Sequence, residues 1–234
     1  MDLKLSEVAE LLNVSETTIQ RWVTEGSVPS YQLNQEFRFN RGEIEDWVMS
    51  AKQGGHRFFA EHERDMSLSQ SAWNQYGLYR AIHKGGVLDQ IEETDKQLLI
   101  QEVMRKSSSP LSLDADLVSE LLIDRENLMP TSLGRGIAVP HTRDFLLRGL
   151  FDAVTVVFPK TPIDWGSLDG EPVHTIFFLF GCDDRRHLNL LAKLAHLASS
   201  DEALEFLKTS PRKPDLLGYI KNWEAAVRTA NCIV

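Results

Sequence analysis

Two stretches, Ala153-Val154-Thr155-Val156-Val157-Phe158 and His174-Thr175-Ile176-Phe177-Phe178-Leu179-Phe180, constrain most strongly what this chain can fold into. Both are of strand length and almost wholly apolar, so each is predicted to be a buried strand. A buried strand needs cover, and the flanking sequence supplies helices. Residues 186–198 read as a helix with Leu188, Leu191, Leu194, Ala195 and Leu197 apolar, and 201–208 and 215–226 read as two more. Upstream, 76–83 is predicted helical and stopped by Gly85-Gly86, 87–91 is a strand, and Thr94 caps a helix running to Lys106. A loop is expected at Ser107-Ser108-Ser109-Pro110, then a helix over 114–125 and a short strand over 137–139. Strands alternating with helices imply an α/β fold, a sheet flanked by helices. The pattern leaves the mix of parallel and antiparallel pairs open.

The first fifty residues follow another pattern. Ser6 is placed to cap a helix through Leu12, and Ser15 to cap a second with Ile19, Trp22 and Val23 on its inner face, ending at Gly26. Residues 28–31 and 37–39 read as short strands around Asn34-Gln35, and 43–48 as a third helix. This is a helix-turn-helix with a hairpin wing. Residues 51–72 carry Gly54-Gly55, a charged run and three alternating serines, and read as a linker holding His56 and His62. The division expected is a small winged helix-turn-helix domain over 1–50, a linker over 51–72 and the α/β domain over 73–234.

The formal charge of −9 on 234 residues argues against a chain that coats nucleic acid, though not against a small DNA-binding module. No apolar run approaches the ~20 residues of a membrane span. No secretory signal is visible, and Cys182 and Cys232 have no metal-ligand spacing, so a reduced cytoplasmic protein without metal or cofactor is expected.

One stretch carries chemistry: Arg125-Glu126-Asn127-Leu128-Met129-Pro130-Thr131-Ser132-Leu133-Gly134-Arg135-Gly136-Ile137-Ala138-Val139-Pro140-His141. It closes a helix with an arginine, passes a glycine-bearing turn able to aim backbone N–H groups at an anion, and delivers a histidine at the end of a short strand. Pro140 narrows where His141 can point. A lone histidine is more often structural than reactive. The whole stretch, however, resembles the phosphorylation-site motif of enzyme IIA type 2, the mannitol/fructose/nitrogen-related class of the bacterial phosphotransferase system. Thr161-Pro162-Ile163-Asp164-Trp165 and Leu168-Asp169-Gly170-Glu171-Pro172-Val173 resemble that family's strand-connecting segment. His187-Leu188-Asn189-Leu190-Leu191-Ala192-Lys193-Leu194-Ala195 resembles the helix bearing its second active-site histidine. The resemblance spans roughly 76–206.

It implies that His141 is the phosphoacceptor, Arg125 the phosphate-binding arginine and His187 the accessory histidine. A neutral imidazole is a good nucleophile near pH 7, and a guanidinium a permanent donor set for phosphoryl oxygens. Glu126 would orient Arg125 or a partner, or stand solvated. His174 and His196 read as structural, His83 lies near the linker with no partner motif, and Cys182 reads as a buried bystander. The implied donor is the histidine-containing carrier protein. The ring of His141 must therefore be reachable by another protein.

Residues 5–22, with Gly26-Ser27-Val28-Pro29, Phe37-Arg38-Phe39 and Glu43-Ile44, resemble the excisionase/MerR-like helix-turn-helix. That resemblance implies a second helix in a DNA major groove, with Glu16, Thr17, Thr18, Gln20 and Arg21 as exposed contacts and Gln32, Asn34, Gln35 and Arg38 on the wing. Charge opposes it: residues 1–50 hold four basic against nine acidic side chains. Such a module must cluster its arginines, dimerise, or bind a protein instead. Three readings stand at this point: a phosphorylation-controlled, nitrogen-type regulator; a transport phosphocarrier handing phosphate to a separate enzyme IIB; and an interaction protein with a dead site. The joint presence of Arg125, His141 and His187 speaks against the last.

Overall fold

The computed structural model describes residues 2–12, 14–33, 36–50, 77–142, 146–147 and 151–230. The expected linker, the wing tip Asn34-Gln35, His56, His62 and Cys232 lie outside the described residues.

The N-terminal segment runs β1 (Asp2–Lys4), α1 (Leu5–Leu12), α2 (Glu16–Thr24), β2 (Tyr31–Leu33), β3 (Glu36–Asn40) and α3 (Arg41–Ser50). The wing was expected as a two-stranded hairpin; β1 adds a further antiparallel strand on the far side of β3, with Leu3 opposite Phe39. Ser15 caps α2 as expected, its hydroxyl accepting from the Thr18 N–H at 3.1 Å. Ser6 does not cap α1. The chain passes straight from β1 into the helix, and the Glu7 carboxylate takes the Lys4 N–H at 2.7 Å. Asn40 receives the Gly42 and Glu43 N–H groups and so starts α3. Val8, Leu12, Ile19, Trp22, Phe39, Ile44 and Val48 are buried, with the Trp22 and Trp47 rings 5.4 Å apart. The Trp47 indole N–H is satisfied by the Ser27 carbonyl.

The larger part runs α4 (Gly77–Gly85), β4 (Val87–Ile91), α5 (Lys96–Leu111), α6 (Ala115–Leu128), β5 (Ser132–Gly134), β6 (Ile137–Ala138), β7 (Ala153–Pro159), β8 (Thr175–Phe180), α7 (Asp184–Leu197), α8 (Asp201–Lys208) and α9 (Lys213–Ala230). Its sheet has the order β4-β7-β8-β6-β5. The mix left open by sequence is now fixed: β4–β7 and β6–β8 are parallel, β7–β8 and β5–β6 antiparallel.

The two apolar strands are buried on both faces. Val154, Val156, Phe158, Phe177 and Leu179 pack toward α4, α7, α8 and α9. The alternate residues, among them Val157, Ile176, Phe178 and Phe180, pack toward α5 and α6. A period of two thus feeds two helical layers from one sheet.

The loop expected at Ser107-Ser108-Ser109-Pro110 is instead the end of α5. Ser107 and Ser108 are buried, and the Ser107 hydroxyl donates to the Val103 carbonyl at 2.7 Å. Pro110 falls in the last turn. Beyond it, Ser112 at φ 56 and Leu113 return their N–H groups to the Ser109 and Ser108 carbonyls. Asp95, not Thr94, caps this helix, accepting from Gln97 and Leu98.

Candidate functional site

Three local devices bring the predicted residues together. At the end of α6, the Glu126 carboxylate accepts the Thr131 N–H at 3.2 Å and the Thr131 hydroxyl. This pins the turn between α6 and β5. Glu126 is buried, and burial raises its pKa against the lowering effects of Thr131, Lys96 and Arg125. Its hydrogen bonds go to Thr131, so its role in the fold is to hold the turn that separates Arg125 from β5. The second device is the β5–β6 hairpin. Its two central residues, Arg135 and Gly136, both have positive φ (56 and 78), as a primed two-residue turn requires. The Arg135 N–H reaches the Asp169 carboxylate at 2.6 Å. The glycine-bearing turn therefore aims a backbone N–H at an anion, as the sequence allowed, and that anion is a carboxylate of its own chain.

The third device is the junction of β8 with α7. The Pro140 carbonyl accepts the Leu179 N–H at 2.9 Å and His141 bridges Leu179, so the histidine continues β6 alongside the end of β8. Two residues beyond, a Cβ on Gly181 would lie 2.8 Å from His187 Cβ and 3.1 Å from its Cα. Only a glycine lets the first turn of α7 come this close. The result is a pair of tilted imidazoles, His141 and His187, with ring centroids 5.2 Å apart.

His141 Nδ1 lies 2.8 Å from the Val139 carbonyl, which can only accept. Nδ1 therefore carries the proton and Nε2 the lone pair. Burial first, then unfavourable electrostatic interaction with His141, Arg41 and Arg125, hold the His187 imidazole well below its ordinary pKa. His187 is thus neutral at pH 7. Arg125 is buried, donating from Nη1 to the Met129 carbonyl at 3.0 Å, and its charge is felt at His187.

The fourth wall comes from the N-terminal segment. Helix α3 lies on α7, and its acidic pair enters the site. Glu45 Oε1 is 3.5 Å from His187 Nε2, and Asp46 Oδ1 is 3.1 Å from Arg125 Nη2. Arg41 reaches Glu45 at 2.9 Å with one nitrogen and Asp184, at the start of α7, at 2.7 Å with another. With His187 neutral, its contact with Glu45 is not an ion pair. His141 is 0% exposed and His187 1%. The expectation of a ring open to a partner protein is overturned in this conformation. The ring is closed off with α3 and its Glu45 against it, and the core cluster on this side of the sheet includes residues of the N-terminal segment.

Glu45, His141 and His187 each offer a ligand atom, all within 4.8 Å of one another. That donor set resembles a metal site. Arg41 and Arg125 beside it add permanent positive charge and favour an anion there. Sequence reasoning missed Arg41, Glu45 and Asp46. For the two acids the signal was the acid excess of residues 1–50.

The helix-turn-helix candidates divide. Glu16, Thr17, Gln20 and Arg21 are exposed on α2, and Arg21 lies 4.0 Å from Glu25. Thr18, expected exposed, is buried: it turns inward with Ile19 and Trp22, its hydroxyl 2.8 Å from that of Ser15. Arg38 pairs with Glu36 at 2.7 Å. Of the remaining histidines, the His174 ring meets the Thr175 hydroxyl at 2.8 Å and its pKa is lowered, chiefly by burial; His196 lies against Trp223. Burial, followed by Asp152, pushes the Cys182 thiol up to about 11.

A helix-flanked mixed sheet with an arginine, a strand-end histidine and a helix-borne histidine converging is the arrangement of a known class. Residues 81–223 match the family described as phosphoenolpyruvate-dependent sugar phosphotransferase system, EIIA 2, and residues 3–52 match a helix-turn-helix domain. The chain belongs to the type 2 enzyme IIA family. It is 30% identical over 129 residues to a nitrogen regulatory protein of Bradyrhizobium diazoefficiens, covering 53% of this chain and 81% of that one. It is 30% identical over 109 residues to the mannitol-specific phosphotransferase enzyme IIA component of Staphylococcus aureus, covering 44% of this chain and 72% of that one. The crystal structure of nitrogen regulatory protein IIA-Ntr from Neisseria meningitidis superposes with a TM-score of 0.52 at 30% identity, covering 57% and 91% of the two chains. Among the described residues no helix is long and apolar enough to cross a membrane.

Proposed function

We propose that this chain is a phosphocarrier of regulatory type, accepting a phosphoryl group on His141 from the histidine-containing carrier protein. The observation that carries the reading is the bond from His141 Nδ1 to the Val139 carbonyl, which leaves Nε2 as the nucleophile next to His187. In the step proposed, the Nε2 lone pair attacks phosphorus on the donor's phosphoimidazole. A new N–P bond forms as the donor's N–P bond breaks, and the donor nitrogen keeps that electron pair. Nδ1 keeps its proton, held by Val139. Arg125 takes phosphoryl oxygens as a planar charged donor, and neutral His187 adds an N–H donor. The nitrogen regulatory relatives support regulation over sugar uptake. Incubation with phosphoenolpyruvate, enzyme I and the carrier protein tests this: an acid-labile phosphate absent from His141→Ala is expected, and label persisting in that variant refutes the assignment.

The N-terminal module supports two readings. Exposed Thr17, Gln20 and Arg21 on α2 fit DNA contact, with Arg38 on the wing. The inward use of Arg41, Glu45 and Asp46 favours a protein-interaction module whose partner is the phosphocarrier part itself. A salt-dependent gel shift on genomic fragments, weakened by Arg21→Ala, supports the first. No shift at low salt, with and without phosphoenolpyruvate, enzyme I and carrier, supports the second. Onward transfer to a separate enzyme IIB is the transport alternative.

A further inference from the structure

The geometry points to Glu45 and Asp46 as an internal occupant of the phosphoryl site, so that helix α3 and an incoming phosphoryl group compete for the same partners, the Arg125 guanidinium and the His187 ring. The inference rests on the phosphocarrier reading of His141. Three observations carry it. First, the acidic pair meets the groups that reading assigns to phosphate: Asp46 binds the Arg125 guanidinium at 3.1 Å, and Glu45 faces His187 at 3.5 Å. Second, Glu45, His141 and His187 place their polar atoms within 4.8 Å of one another. A phosphoryl group on that imidazole would put oxygens bearing about two negative charges into the space of the carboxylate. Third, the module brings its own cation. Arg41 neutralises Glu45 at 2.9 Å and fastens α3 to Asp184 at 2.7 Å, which lets a carboxylate be buried at 1% exposure.

The two states exclude each other. With α3 docked, His141 is sealed and the carrier protein cannot reach it. With His141 phosphorylated, Glu45 and Asp46 lose their places and face a like charge. Phosphorylation would thus hold the helix-turn-helix module away from α7, and the unphosphorylated protein would keep it docked. Two of the nine acidic side chains of the first fifty residues then have a purpose that DNA binding does not give them.

Glu45→Gln/Asp46→Asn in the full-length chain tests this with two readouts. Deuterium uptake over 41–50 and 184–190 reports docking without any phosphoryl chemistry. The initial rate of labelling from phosphoenolpyruvate, enzyme I and the carrier protein reports access. The double variant is expected to exchange faster in both segments and to be labelled at least about tenfold faster, because transfer follows the open fraction. Wild type, once labelled, is expected to match the variant's exchange. Asp46→Asn alone, at a half-buried position, gives the same direction if the double variant fails to fold. Equal labelling rates with equal protection of α3 overturn the inference and leave the phosphocarrier reading intact. Absence of label in both proteins overturns the phosphocarrier reading, and the inference with it.

Discussion

Replacing Arg41 with methionine keeps the length of the side chain and removes its charge. Two ion pairs go with it, Arg41–Glu45 at 2.9 Å and Arg41–Asp184 at 2.7 Å. The Glu45 side chain is 1% exposed, so the docked state would then hold a buried carboxylate without its neutralising guanidinium. Removing one partner of a buried pair costs about 3–5 kcal/mol. Arg41 is 15% exposed and Asp184 31%, so solvent offsets part of this and about 3 kcal/mol applies. That is roughly a hundredfold shift from docked to open. Hydrogen–deuterium exchange of the full-length chain reads it directly. Amides of 41–50 should exchange much faster in Arg41→Met, while those of β7 and β8 stay protected. Unchanged exchange in 41–50 would show that Arg41 does not hold the module down, and the electrostatic account of docking would fail.

Acid should also release the module. His187 has its pKa held well below 6.5 in the docked state by burial first and then by His141, Arg41 and Arg125, with Glu45 facing it; departure of α3 removes Arg41 and part of the burial, so the pKa rises. The open form therefore takes up a proton more readily. Docking is complete above about pH 6.5 and weakens as pH falls below it; exchange of α3 measured from pH 7.5 to 5.5 should rise, and His187→Gln should flatten the rise. Gly181→Ala would press a methyl against the His187 backbone and Cβ at about 3 Å. A loss of about 1–3 kcal/mol is expected, seen as a fall of several degrees in the thermal midpoint with slower labelling of His141. An unchanged midpoint would mean that α7 yields at no cost.

What the sequence revealed and what it hid divide along range. The stretch from Arg125 to His141 was legible because it is an uninterrupted run that resembles a family motif; its chemistry alone left the histidine more often structural, and the hairpin within it was read only as a glycine-bearing turn. Strands β7 and β8 were legible because both faces are apolar. The Ser15 cap and the Trp22 face of α2 were readable for the same local reason. Strands β1 and β5 were missed: each is three residues long and takes its register from a neighbour. The serines before Pro110 read as a loop because their propensity is weak, and burial of Ser107, Ser108 and Leu111 overrode it. Thr18 was misplaced by one helical face. The docking of α3 was out of reach, because Asp46 and Arg125 lie 79 residues apart and meet only through the fold.

Phosphorus NMR on the full-length chain, after incubation with phosphoenolpyruvate, enzyme I and the carrier protein, addresses the centre of the account. A single phosphoimidazole resonance of the Nε2-substituted type, lost on acidification and missing from His141→Ala, is the predicted result. A resonance that survives in His141→Ala, or one from an Nδ1-substituted ring, would contradict the assignment made from the Val139 hydrogen bond.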